Sequence, residues 1–106
     1  MFVAKAAEDK KADNIKVLDV KKATPLTDYF VICTGESGPQ IKAISSHIEE
    51  ELRSKGGKSL RWEGKLNSKW LILDLGRVVV HIMSKEERER YNLEGLWEKK
   101  AIVYHL

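Results

Sequence analysis

An α/β fold, a mixed sheet of about five strands with flanking helices, is predicted by three stretches of this 106-residue sequence. Residues 69–83 read as two adjoining strands joined by a Gly76-Arg77 turn, because both runs are dense in aliphatic and β-branched residues. Asp28 to Thr34 is a near-continuous apolar run, which suits a strand buried on both faces at the centre of a sheet. Between them, Ile41, Ile44, Ile48 and Leu52 follow the three/four spacing of a helix with one apolar stripe.

The hairpin fixes its own register. A glycine at the first turn position suits a two-residue turn, so Leu75 opposes Val78, Leu73 opposes Val80 and Leu71 opposes Ile82. These six side chains share one purely aliphatic face, predicted as core. The opposite face carries Trp70, Ile72, Asp74, Val79, His81 and Met83. That second face is either covered by a helix of the same chain or is a docking surface. Asp74 and His81 lie diagonally across it, close enough to interact, and Trp70 is the residue type that anchors interfaces.

Taken in order, residues 2 to about 12 place Phe2, Val3, Ala6 and Ala7 along one side of a short docking helix. Ile15 to Val20 form a β-branched strand that ends before the Thr24-Pro25 pair. After the strand at 28–34, Ser37 or Gly38 caps a helix with Pro39 at its first position, and Gly56-Gly57 stop it near Lys55. Lys42, Ser45, Glu49, Glu50 and Arg53 point away from the stripe. Leu60 to Glu63 give a further strand, followed by a loop at 64–68. Ser84 and Glu87 have the spacing of a reciprocal capping box, and the helix they open carries Lys85, Glu86, Arg88, Glu89 and Arg90 as a solvated charged face. Leu93 and Trp97 share a face if that piece is helical. Residues 101–106 are apolar and fit no element on pattern alone.

The composition bounds function. With 42% hydrophobic and 33% charged residues, the chain is an ordinary globular protein large enough for one core, taken as one domain over 1–106. The net charge of +3 is interleaved along the chain rather than gathered, which argues against sequence-specific nucleic-acid binding. The single cysteine, Cys33, lies in an apolar strand and reads as a small buried hydrophobe. No apolar run approaches membrane-spanning length and Glu8 and Asp9 are unlike a signal peptide, so a cytoplasmic location with no membrane partner is expected.

Catalytic chemistry is sparse. His47, His81 and His105 fall on different elements and no metal-ligand spacing occurs, so neither a metal nor any cofactor is expected. The Gly35-Glu36-Ser37-Gly38 turn could offer backbone amides to a phosphate, which leaves a nucleotide-binding or nucleotidyltransferase-like enzyme as the alternative reading. Glu36 opposes it.

The series Leu18-Asp19-Val20, Thr27 to Gly35, Lys42-Ala43-Ile44, Glu63-Gly64, Trp70 to Asp74, Gly76, Val78 to His81 and Arg90-Tyr91-Asn92-Leu93-Glu94-Gly95-Leu96-Trp97 resembles the ribosomal silencing factor, or Iojap, family across nearly the whole chain. The resemblance implies a nucleotidyltransferase-like fold without that activity. It implies a factor that binds the large ribosomal subunit through ribosomal protein fourteen, blocks joining of the small subunit, and damps translation in scarcity. It also implies a part in large-subunit assembly and a homodimer. Carried over by position, Trp70, Asp74, His81, Met83, Tyr91 and Leu93 are the expected ribosomal contact, with Glu63 at its border. Ser37-Gly38-Pro39 and Arg77 depart from the family pattern at turn positions, which puts in doubt only contacts made there.

Overall fold

The computed structural model describes residues 2–56, 61–63, 69–97 and 102–105. Ten elements follow in chain order: α1 (Phe2–Asp9), β1 (Asp13–Asp19), β2 (Tyr29–Thr34), α2 (Gly38–Ser54), β3 (Arg61–Glu63), β4 (Trp70–Asp74), β5 (Val78–Met83), α3 (Lys85–Tyr91), α4 (Leu93–Trp97) and β6 (Ile102–His105). The strands form one mixed sheet in the order β3-β4-β5-β2-β1-β6, in which only β2 and β5 are parallel. Among the described residues it has six strands rather than about five. Four longer strands make its body and the short β3 and β6 close its edges; β6, antiparallel to β1, is the element the apolar C-terminal residues supply.

Hydrophobic alternation decides which side chain meets which layer. On the first face Ile15, Val17, Val31, Cys33, Leu73, Val80 and Ile82 pack under α1 and α2, which contribute Val3, Ala4, Ala6, Ala7, Ile41, Ile44 and Ile48. On the second, Leu18, Val20, Ile32 and Met83 pack with Phe30, Trp70, Leu93 and Trp97. The predicted hairpin register is present: Leu71 opposes Ile82, Leu73 opposes Val80, and the Leu75 amide donates to the Val78 carbonyl at 2.8 Å. Gly76 turns the chain at φ +84°, a conformation that costs a glycine nothing.

The helices show where pattern alone was insufficient. Ser37 caps α2 by accepting from the Gln40 amide, and Pro39 stands second in the helix, after Gly38, rather than first. Ser45 is nevertheless buried, its hydroxyl donating to the Lys42 carbonyl, so it does not point away from the core. Ser84 caps α3 by accepting from the Glu87 amide at 3.2 Å, but the capping box is half made. The Ser84 amide donates to the Lys69 carbonyl at 2.7 Å, which leaves Glu87 to pair with Arg90. Arg88 is 6% exposed and does not belong to a solvated face. The loop at 64–68 and Gly57 lie outside the described residues.

Candidate functional site

The second sheet face carries a continuous series of rings. Tyr91 lies on Trp70 with centroids 4.8 Å apart, Trp70 meets His81 at 5.9 Å, His81 meets Phe30 edge-on at 5.6 Å, and Phe30 meets Trp97 at 5.2 Å. Strand pleating builds the middle of it: Ile32 is paired with His81 across β2 and β5, and His81 with Ile72 across β5 and β4. The left-handed residue Asn92 (φ +43°) ends α3 and starts α4, dropping Leu93 and Trp97 over Phe30 and Ile32. A small apolar cavity of about 120 Å³ remains between Phe30, Ile32, His81, Leu93 and Trp97.

The first alternative, cover by a helix of the same chain, holds for the centre of this face, and its β4 side is open to solvent. α3 and α4 of the same chain cover its centre, so Met83 is 0% and His81 8% exposed. Toward β4 the cover ends: Tyr91 is 49% exposed, Trp70 is half-buried beneath it and Asp74 is exposed. Of the residues predicted from sequence, Trp70, Tyr91, Leu93 and His81 are brought together. Met83 and His81 lie underneath that surface rather than on it, and the Glu63 side chain lies outside the described residues.

The expected Asp74 and His81 pair is not made. Asp74 Oδ1 accepts from the Gly76 amide at 2.8 Å, an Asx arrangement that serves the hairpin turn. His81 Nδ1 instead accepts from the Trp70 indole N–H at 3.0 Å. An indole can only donate, so this imidazole is neutral with its proton on Nε2. Burial pushes its pKa down to about 4.

A second cluster, absent from the sequence reading, sits at the C-terminal end of β2. Arg88 Nε donates to Glu94 Oε1 at 3.0 Å, Arg88 Nη1 donates to Thr34 Oγ1 at 2.9 Å, and Lys16 Nζ lies 3.6 Å from Glu94 Oε2. Arg88 and Glu94 are both buried. Charge alternation in α3 masks this, since the partners of Arg88 lie beyond the Asn92 turn and on a distant strand. Cys33, fully buried, has its thiol pKa pushed up to about 12 by desolvation, which makes it inert.

The Gly35 turn is built for packing. A side-chain carbon at Gly35 would stand 2.6 Å from Ile41 Cγ1. The Gly35 amide donates to the Met83 carbonyl, the Glu36 amide to Gln40 Oε1 and the Gln40 amide to Ser37 Oγ, so two amides of the turn and one of the first turn of α2 are already engaged. Among the described residues no group of three or more His, Cys, Asp or Glu is arranged to hold a metal ion, and no helix is long and apolar enough to cross a membrane.

These features define a ring-lined face on a small α/β scaffold. The same fold occurs in a crystal structure of a protein from Chromobacterium violaceum, at TM-score 0.86 and 34% identity over 91% of this chain and 80% of that one. A Bacillus halodurans structure matches at TM-score 0.80 and 37% identity, covering 95% and 93%. The family model described as "Ribosomal silencing factor during starvation" matches residues 1–105, and the chain belongs to that family. Ribosomal silencing factor RsfS of Bacillus subtilis is 42% identical over 91% of this chain and 81% of its own length. The chloroplastic protein Iojap of Arabidopsis thaliana is 43% identical over 90% of this chain but only 40% of its own length.

Proposed function

We propose that this protein is a cytoplasmic translation repressor that docks on the large ribosomal subunit, through its ribosomal protein fourteen, and sterically excludes the small subunit. The observation that carries this reading is the family match spanning residues 1–105. The exposed rings of the second sheet face support it, because a half-exposed tyrosine held on a hydrogen-bonded tryptophan is a rigid apolar anchor of the kind that dominates binding energy.

In this reading Tyr91, Trp70 and Asp74 present the contact and Leu93 and Glu63 border it. His81 and Met83 act from below, fixing the indole. The protein makes and breaks no bond; a body measuring 33 × 32 × 24 Å occupies space on the inter-subunit side. Its scaffold is nucleotidyltransferase-like in build without the activity, it takes part in large-subunit assembly, and a homodimer forms in its absence from the ribosome. Subunit joining followed by light scattering tests this. Preincubating large subunits with the protein is expected to lower the joined fraction in proportion to occupancy, whereas preincubating small subunits has no effect; unchanged joining in both arms contradicts the steric mechanism. Titration with nucleotide and magnesium, expected to give no binding, tests the alternative at the Gly35 turn.

A further inference from the structure

The helices α3 and α4 carry one end of the ring-lined face with few apolar side chains to hold them there. They are seven and five residues long, too short to be helical by themselves. α3 lays the half-exposed Tyr91 on Trp70, α4 packs Leu93 and Trp97 with Phe30 and Ile32, and Leu96 is 68% exposed. The elbow between them is the left-handed Asn92, whose side-chain oxygen accepts from the Gly95 amide at 3.3 Å.

A buried polar tie brackets this elbow. Arg88 of α3 and Glu94 of α4 stand on either side of Asn92, and Arg88 Nε donates to Glu94 Oε1 at 3.0 Å. The same guanidinium donates to Thr34 Oγ1 of β2, and Glu94 Oε2 lies 3.6 Å from Lys16 Nζ of β1. Each helix is thus bound to the other and to a strand of its own. Such a cluster is a poor source of stability. Taking charges out of water offsets most of their attraction, apolar residues of the same bulk do as well, and Arg88 Nη2 is left buried with no acceptor among the described residues. Directional, charge-assisted bonds supply instead what apolar packing does not, a single geometry.

We propose that Arg88 and Glu94 are positioning residues for the docking face: they touch no partner, and they fix the elbow at Asn92 that lays Tyr91 on Trp70 and Trp97 on Phe30. This rests on the reading of that face as the ribosomal contact. Without the tie, the sheet and the layer of α1 and α2 stay folded while the elbow samples several positions. The ring series is then no longer preformed, and docking has to order it.

The test compares the full chain with a double variant, Arg88→Met with Glu94→Leu, using methyl NMR of Ile, Leu and Val for the geometry and co-sedimentation with isolated large subunits for docking. Ile48→Val, a change in the other core layer, controls for loss of stability alone. The double variant is expected to keep the methyl shifts of Ile44 and Val80. It should move those of Ile32 and Leu93, which lie beside the rings of Phe30 and Trp97, toward random-coil values. Its binding to large subunits should fall about tenfold or more, while Ile48→Val binds like wild type. Arg88→Lys replaces Nε and Nη1 by a single nitrogen, so it should move the same methyls in the same direction by less, and it decides the question if the double variant does not fold. Unmoved Ile32 and Leu93 methyls in the folded variants, moved methyls with binding unchanged, or Ile48→Val binding as weakly as the double variant would each overturn the proposal. If the wild-type protein does not bind large subunits, the docking reading falls, and the methyl shifts alone decide whether Arg88 and Glu94 fix the elbow.

Discussion

The indole N–H of Trp70 donates to Nδ1 of His81 at 3.0 Å, and this bond ties the exposed edge of the second sheet face to its buried centre. It exists only while the imidazole is neutral, because a protonated ring has no acceptor to offer. His81 also stacks edge-on against Phe30, so one buried residue positions both ends of the ring series.

Stability should therefore fall in mild acid. The folded-state pKa of His81, near 4, lies below its ordinary value of 6.5, so the unfolded chain takes up a proton before the folded one does. The contribution of the neutral ring is complete above about pH 6.5 and is lost as pH falls toward 4, by at most about 1.4 kcal/mol per pH unit and about 3 kcal/mol in total. Urea unfolding across this window, compared with a His81→Phe variant, isolates the effect from the carboxylates. The variant is expected to lose the part of the slope above pH 5.

Trp70→Ala cannot separate docking from folding, because Trp70 belongs to the second core cluster as well as to the surface. It is expected to lower stability by about 3 kcal/mol, whereas Tyr91→Ala, losing one ring pair at a half-exposed site, is expected to cost less than about 1.5 kcal/mol. Denaturant midpoints of the two variants check the order.

Arg88→Met should destabilise by about 3 kcal/mol, since it leaves the buried Glu94 with Lys16 as its remaining cationic partner and strips Thr34 of its donor. Adding Glu94→Leu is expected to recover part of the loss. A double-mutant cycle measures the coupling, and strict additivity would show that the pair does not interact.

Gly35→Ala is expected to cost about 1–3 kcal/mol, because the added carbon meets Ile41 Cγ1 at 2.6 Å and the Ile41 amide nitrogen at 3.2 Å. Combining it with Ile41→Ala removes the first of these contacts, so the double variant should be more stable than the sum of the single effects.

The hairpin and its aliphatic core face were legible because period-two alternation is local: Leu71, Leu73, Val80 and Ile82 declare their face without help from the rest of the chain. The stripe of α2 was legible in its three/four spacing, with Ile41, Ile44 and Ile48 buried and Leu52 only partly so. Arg88 was not. A charged residue amid charged neighbours reads as solvated, and its burial depends on Thr34, brought close only by the parallel pairing of β2 with β5. Asp74 and His81 were placed on the correct face, but their partners were decided by nearer competitors, the Gly76 amide and the Trp70 indole. The strand Ile102–His105 was illegible because it is an edge strand whose partner, β1, lies at the other end of the chain. The family resemblance was legible in spaced short matches, and the match over residues 1–105 agrees with it.

The most direct test of the proposed docking is co-sedimentation of the purified protein with isolated large subunits, isolated small subunits and their mixture, beside a Tyr91→Ala variant shown to be folded. The wild-type protein is expected to migrate with large subunits only and to reduce joined ribosomes. Tyr91→Ala should weaken that association at least about tenfold. Migration with neither subunit, or binding by the variant equal to wild type, would contradict the assignment of this ring-lined face as the ribosomal contact.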